Sequence, residues 1–228
     1  MDKPGTPMMN DEKNQSREVS SNQPGLHPRL LEVVTRHLES DFRRPVAEHS
    51  HNAYTVLRDR LRHEQRPLVL DSFCGTGMST ALLARKHPDC LVAGIDQSEH
   101  RLDKHVPLAT DNYLLLRAQA EDIWQLLLQD GYRLAHHYLL YPNPWPKSKH
   151  LQRRIHGHPG FAWLLALGGG VELRSNWQLY VEEFGLAMHH AGRRGCISLI
   201  AKAAPLTLFE EKYQRSGHSL WQFRCDLP

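Results

Sequence analysis

The stretch LVLDSFCGTGMSTALLARKHPDCLVAGID, residues 68–96, decides the fold. Leu68 to Leu70 is a short apolar run that stops at Asp71, and Asp71-Ser72-Phe73-Cys74-Gly75-Thr76-Gly77 is a turn rich in small residues. Met78 to Lys86 carries a helical pattern, and Leu91 to Ile95 is a second apolar run that stops at Asp96. Strand, glycine turn, helix, strand and terminal acid is the order in which a doubly wound fold builds its nucleotide crevice. Small residues let backbone amides approach a ligand at the helix N-terminus. Asp96, at the end of the next strand, can accept hydrogen bonds from both hydroxyls of a ribose. An adenosine-containing cofactor follows, either a dinucleotide or S-adenosylmethionine. Gly75-Thr76-Gly77-Met78-Ser79-Thr80 lacks the third glycine that a dinucleotide site usually carries.

Outward from this stretch the alternation continues. Glu99 to His105 reads as a helix, Tyr113 to Leu116 as a strand, Asp122 to Leu128 as a helix and Leu134 to Leu140 as a strand. After a turn at Gly168-Gly169-Gly170 come a strand, Val171 to Arg174, a helix, Trp177 to His190, and two strands, Gly195 to Ala201 and Ser219 to Arg224. The expected fold is α/β: a doubly wound, mainly parallel, seven-stranded Rossmann-like sheet with helices on both faces and one antiparallel C-terminal strand. Upstream, Pro28 to Ser40 and Glu48 to His63 repeat apolar residues at helical spacing, with the Arg43/Arg44 pair between them either a solvated loop or an RNA contact. Residues 1–25 hold almost no large apolar side chains and read as a disordered tail. A chain of 228 residues suits one domain over 26–228, with N-terminal helices in 26–66 and the core in 67–228.

The second informative stretch is YPNPWPKSKHLQRR, residues 141–154. The apolar run from Leu134 feeds into Pro142, Pro144 and Pro146, so a strand ends in a stiff loop presenting Asn143, Trp145 and Lys147. Lys147, Lys149, His150, Arg153 and Arg154 follow within eight positions. A helix from Lys149 would set Lys149/Arg153 and His150/Arg154 as i,i+4 pairs of like charge, an arrangement suited to an anion such as phosphate. The competing reading is a solvated helix start after a proline turn.

Composition narrows the class. Net charge +3 and pI about 8.7 permit nucleic-acid binding without requiring it. Four cysteines without a CxxC pair and sixteen histidines without HExxH spacing indicate neither a zinc site nor a disulfide framework, and no metal is expected. The doublets His136/His137 and His189/His190 read as strand-edge and helix-surface residues. No apolar run reaches the roughly 20 residues of a membrane helix, and no signal-peptide core opens the chain, so a cytoplasmic protein without a membrane partner is expected.

The frame Pro142-Asn143-Pro144-Trp145-Pro146-Lys147, followed by His150 and Arg153-Arg154, resembles the signature of the tRNA (guanine-N7)-methyltransferase family. Asp71 to Gly77 is similar to motif I of class I methyltransferases, D-x-x-x-G-x-G, with Phe73 at a position more often glycine. Val171 to Trp177 resembles the family's strand ending in Thr-Asp-Trp, and Thr207, Phe209, Glu210, Lys212 and Gly217 its Thr-x-Phe-Glu-x-Lys segment. The likeness runs from about Pro67 to Arg224. It implies methyl transfer from S-adenosylmethionine to N7 of guanine in tRNA, by a monomer or homodimer.

Site roles follow from the same resemblance. Gly75 and Gly77 would hold the cofactor, Asp96 its ribose, and Asp71 its ammonium, unless Asp71 caps a helix instead. Glu121 and Asp122 either meet the adenine or sit as helix N-terminal acids favoured by the macrodipole. Asn143 and Asn176 stand where the family typically has Asp and would form the catalytic pair at the target base. Trp145 would stack on a base; Lys147, Lys149, His150, Arg153 and Arg154 would hold phosphates; Thr207 and Glu210 would close the far edge. Guanine N7 carries a free lone pair, so alignment suffices without a general base, and an amide can align. Two other functions fit the sequence: a methyltransferase for another RNA or a small molecule, and a non-catalytic RNA-binding relative.

Overall fold

The computed structural model describes residues 16–201 and 203–228. Its centre is a sheet of β1 (Leu68–Ser72), β2 (Leu91–Asp96), β3 (Tyr113–Arg117), β4 (Leu134–Leu140), β5 (Gly169–Ser175), β6 (Cys196–Leu199) and β7 (Trp221–Leu227). The spatial order is β3-β2-β1-β4-β5-β7-β6. β1 to β5 pair in parallel, and β7 runs antiparallel to both β5 and β6. Every residue of β1 and β2 is buried, which is why these strands read as continuous apolar runs instead of alternating ones. The order reverses between β1 and β4, so a crevice opens outside the carboxyl ends of these strands.

Helices cover both faces, as the alternation implied. α1 (Leu30–Glu39), α2 (Glu48–Glu64), α5 (Ala120–Gln129), α6 (Phe161–Leu167) and α7 (Gln178–His190) pack on one face, where Leu57, Trp124, Leu164 and Phe184 join Leu68, Leu70 and Leu173. α3 (Met78–Lys86) covers the other, with Leu83 and Ala84 against Val69, Val92 and Tyr138. The approach of α3 to β2 depends on Gly94, where a Cβ would lie 2.2 Å from Thr80 Oγ1. The short α4 (Glu99–Leu102) follows β2, and α8 (Leu208–Arg215) precedes β7. α8 falls in a segment whose periodicity announced no helix.

Three expectations change. Residues 1–15 of the expected tail lie outside the described residues, but the stretch from Ser16 to Gly25, half of it exposed, is tied to the fold by hydrogen bonds. Ser21 Oγ donates to the Pro146 carbonyl at 2.6 Å, Asn22 Oδ1 accepts from the Ser148 N–H at 3.1 Å, and the buried Gln23 donates to Glu183 at 2.6 Å. Composition weighs apolar area and misses a segment held by hydrogen bonds to distant partners. Next, the basic stretch is no α-helix from Lys149: it forms two 3₁₀ turns, Ser148–Arg153 and Ile155–Gly157. The chain there is tight enough that a Cβ on Gly157 would stand 2.1 Å from the Leu151 carbonyl oxygen. Finally, only Gly168, at φ +73, belongs to the glycine turn, since Gly169 and Gly170 already belong to β5.

Candidate active site

A cavity of about 610 Å³ occupies the crevice at the carboxyl ends of the parallel strands. Its floor is the turn after β1, where Phe73, Gly75 and Gly77 all have positive φ. A Cβ on Gly75 would meet nothing within 4 Å, so this residue opens onto the cavity. Gly77 is different: its Cβ would come 2.5 Å from Leu115 Cδ1 and 3.0 Å from His105 Nδ1, so the packing behind the turn requires glycine. The Gly75 N–H donates to Asp96 Oδ2 at 3.0 Å, while Asp96 Oδ1 accepts from the Ser98 N–H at 2.8 Å and pairs with Arg101 at 3.0 Å. Asp96 is almost fully buried yet borders the cavity. Asp71 does not border it. Its Oδ2 accepts from Ser79 Oγ at 2.6 Å and Thr80 Oγ1 at 2.8 Å, bracing the first turn of α3 through side chains; it does not cap the helix, whose N-cap is Gly77. Burial pushes its pKa up to about 6 against those two hydrogen bonds.

Gln119, Ala120 and Glu121 continue the wall beyond Asp96. Asp122 is removed from this role. It is buried, ion-paired with Arg44, and accepts from the Ala47 N–H at 3.2 Å, so its carboxylate is spent on the link between α1 and α2. Arg44 also donates to Gln119 Oε1 at 2.8 Å and itself lines the cavity. Sequence reasoning left Arg44 undecided because its partners are 75 and 78 residues away.

On the other side Asn143, Trp145 and Arg153 line the cavity. Tyr141 and Trp145 hold positive φ, and the Arg153 guanidinium lies 4.7 Å over the Trp145 ring. His150 meets the same ring edge-on at 5.5 Å. Desolvation and the cations Arg153, Lys149 and Lys147 lower its pKa. Lys147 and Lys149 are exposed next to the cavity entrance segment. Arg154 is not a phosphate contact. It is fully buried, ion-paired with Glu183, and donates to Gln23 Oε1 at 3.0 Å and to the Trp145 carbonyl from Nε at 3.3 Å and Nη2 at 3.2 Å. Arg153 ends the first 3₁₀ turn, whereas Arg154 lies between the two turns in extended backbone (φ −75°, ψ 148°), and the two neighbours go to opposite destinations. Burial alone would raise the Glu183 carboxyl, but the hydrogen bond and charge of the buried His156, whose Nε2 lies 3.1 Å away, and then the Arg154 charge outweigh it and bring the pKa to about 2.

Thr207 borders the cavity and caps α8, its Oγ1 accepting from the Glu210 N–H at 2.9 Å. Glu210 is instead a buried anchor, paired with Arg174 at 2.8 Å and accepting from the Leu206 N–H at 3.2 Å. Asn176 is not on the cavity wall; its Nδ2 lies 3.3 Å from His218 Nδ1. The structure adds Arg101, Leu208 and Phe209, which sequence reasoning gave no role. Among the described residues no group of three or more His, Cys, Asp or Glu is placed to hold a metal ion, and no helix is long and apolar enough to cross a membrane.

The chain is similar to known methyltransferases. A tRNA (guanine-N(7)-)-methyltransferase of Neisseria gonorrhoeae (strain NCCP11945) is 29% identical over 172 residues, covering 68% of this chain and 70% of the relative. One from Sodalis glossinidius (strain morsitans) is 28% identical over 168 residues with the same coverage. Among solved structures, the 16S rRNA methyltransferase KamB superposes with a TM-score of 0.56 at 18% identity, over 81% of this chain and 95% of that one, a likeness of fold. The family model Methyltransf_4, described as "Putative methyltransferase", matches residues 65–223. With the motif I turn, the strand order and most of its length covered by that match, the chain belongs to this methyltransferase family.

Proposed function

We propose that this protein transfers a methyl group from S-adenosylmethionine to N7 of a guanine in tRNA. One observation carries the reading: the glycine turn with Asp96 and the basic loop with Asn143 and Arg153 open into the same cavity. A nucleotide-type cradle and a cationic, aromatic entrance sharing one space suit a reaction between a cofactor and a nucleic acid. The relatives named as tRNA (guanine-N(7)-)-methyltransferases supply the target.

The cradle fits the cofactor in size and chemistry. Gly75 leaves open space where any side chain would intrude, and Asp96 borders the cavity with its Oδ2 engaged by a single N–H, which leaves that oxygen a lone pair for a ribose hydroxyl. When bound, S-adenosylmethionine supplies a methyl group activated by its sulfonium. Asp96 accepts from the ribose hydroxyls, and Gln119 to Glu121 border the adenine. On the substrate side, guanine N7 needs no deprotonation, so the residues work by orientation. Asn143 offers one carbonyl acceptor and one amide donor to the base edge. Trp145 stacks on the exposed base, and Arg153, Lys147 and Lys149 hold flanking phosphates. A guanine within folded RNA must leave its stack to arrive there, so the reaction should weaken steeply with salt.

The test is transfer of labelled methyl to tRNA lacking 7-methylguanosine, with the product nucleoside identified by mass spectrometry. Label as 7-methylguanosine, lost in Asp96→Ala together with cofactor binding, is the expected result. Label in a different nucleoside would overturn the target, and cofactor binding without any label on tRNA would overturn the substrate.

A further inference from the structure

α8 buries only one of its residues, Glu210, and yet its first two residues are large and apolar. Leu208 is 53% exposed and Phe209 50% exposed, and both line the cavity instead of the core. Adjacent bulky apolar side chains at a cavity mouth are costly in water and call for a ligand. Phe209 is also half of a prepared stack. Its ring lies against Tyr213, one helical turn on, at 6.2 Å and 24°, and Tyr213 lies against His218 at 5.3 Å and 13°. One face of Phe209 is thus fixed by its neighbours, leaving the other for a planar group. Lys212, three residues along the same helix face, lines the cavity too.

The opposite supply of aromatic and cation comes from a separate element. Trp145 and Arg153 line the same cavity from the loop after β4, with the guanidinium already stacked on the indole. Two elements therefore each contribute one aromatic ring and one cation to one entrance, a pattern matched by a single unstacked nucleotide whose base takes the rings and whose phosphates take the cations.

We infer that Phe209 is a substrate-binding residue that stacks on the target nucleobase once it leaves the RNA, with Lys212 contacting an adjacent phosphate. The inference rests on the tRNA reading above and extends it to residues that reading does not use. The rigid backing by Tyr213 means that the ring is oriented before the base arrives, which places its effect on tRNA and spares the cofactor.

The experiment compares wild type, Phe209→Ala, Phe209→Leu and Phe209→Tyr for methyl transfer to tRNA and for S-adenosylmethionine affinity by calorimetry. Methyl transfer by wild type tests the tRNA reading separately. With that activity present, Phe209→Ala and Phe209→Leu should lower kcat/KM for tRNA about 10- to 100-fold, the size of one base–aromatic stack, while cofactor affinity stays within about twofold. Phe209→Tyr should restore most of the loss, because the ring and not its hydrophobicity carries the role. Unchanged kcat/KM in Phe209→Ala would overturn the inference. So would a parallel loss of cofactor affinity, or a leucine variant as active as tyrosine, since either would make Phe209 a mere wall of the cofactor site.

Discussion

Replacing Arg154 by alanine takes a guanidinium out of a place that water does not reach. Arg154 and Glu183 are both fully buried, and the same guanidinium holds Gln23 and the Trp145 carbonyl. Loss of one partner leaves the Glu183 carboxylate buried without its charge partner, a change that costs about 3–5 kcal/mol. For a chain of this size that is a fall in Tm of roughly 6 to 20 °C. Arg153→Ala, one residue away, removes an exposed side chain and should change stability by no more than about 0.5 kcal/mol. Its cost should appear in tRNA binding, with the salt dependence reduced by about one counterion. Urea denaturation followed by circular dichroism, with tRNA binding measured from about 50 to about 200 mM salt, separates the two. An Arg154→Ala protein with the wild-type denaturation midpoint and a reduced salt slope would refute the reasoning and return Arg154 to the phosphates.

The same cluster makes a pH statement. The Glu183 carboxyl is lowered from 4.5 to about 2. A depressed carboxyl contributes stability that is present above its unfolded value and disappears as pH falls through its folded one. The contribution, about 3 kcal/mol, should fade between about pH 4.5 and pH 2, and Glu183→Gln should flatten that part of the acid unfolding curve.

Asp71 should behave in the opposite sense: its pKa is raised from 3.8 to about 6, so its contribution is complete below about 4 and is lost as pH rises through 6. The stability of Asp71→Asn relative to wild type, read by urea titration, should therefore rise between pH 4 and 6 by on the order of 3 kcal/mol, and a pH-independent difference would contradict this. The two turn glycines should also separate. Gly77→Ala meets both a left-handed backbone and a Cβ contact at 2.5 Å, and should lower stability by about 2–4 kcal/mol. Gly75→Ala meets the same left-handed backbone but open space around its Cβ, so it should lose less stability than Gly77→Ala and, beyond that, cofactor affinity; equal thermal shifts in the two variants would argue against the assignment.

The sheet and its helices were legible because burial leaves a pattern: β1 and β2 are buried throughout and apolar up to their terminal polar residues, and α3 and β4 begin and end where the pattern does. The cofactor turn was legible because glycine spacing carries conformational information. What could not be read was the pairing of charges. Asp122, Arg154 and Glu210 look like site residues in sequence and are structural ions in space, since their partners Arg44, Glu183 and Arg174 lie 78, 29 and 36 residues away. The split between Arg153 and Arg154 was lost for a second reason: in place of the expected continuous helix there are two 3₁₀ turns, and Arg154 lies between them in extended backbone. Phe209 stayed unassigned because an exposed aromatic on a short helix has no periodic signature.

These buried ions explain how the site keeps its shape. Among the described residues, the non-glycine residues with positive φ are Gln65, Phe73, Tyr141 and Trp145, and all but Gln65 line the cavity. Such a conformation costs about 1–3 kcal/mol at each position and persists only where the surroundings hold it. Each of the three is held. Phe73 packs edge-on against the buried Trp124 at 6.2 Å, Tyr141 donates its N–H to the Arg174 carbonyl at 2.9 Å, and the Trp145 carbonyl is gripped by Arg154. The fully buried Arg154 and its exposed neighbour Arg153 thus serve one end. The first fixes the carbonyl of Trp145 from below through a cluster that includes Glu183 and Gln23, and the second covers its ring from the solvent side. A loop that presents an aromatic and a cation to RNA stays poised before the RNA arrives because the core, through Arg154, absorbs the strain of presenting them.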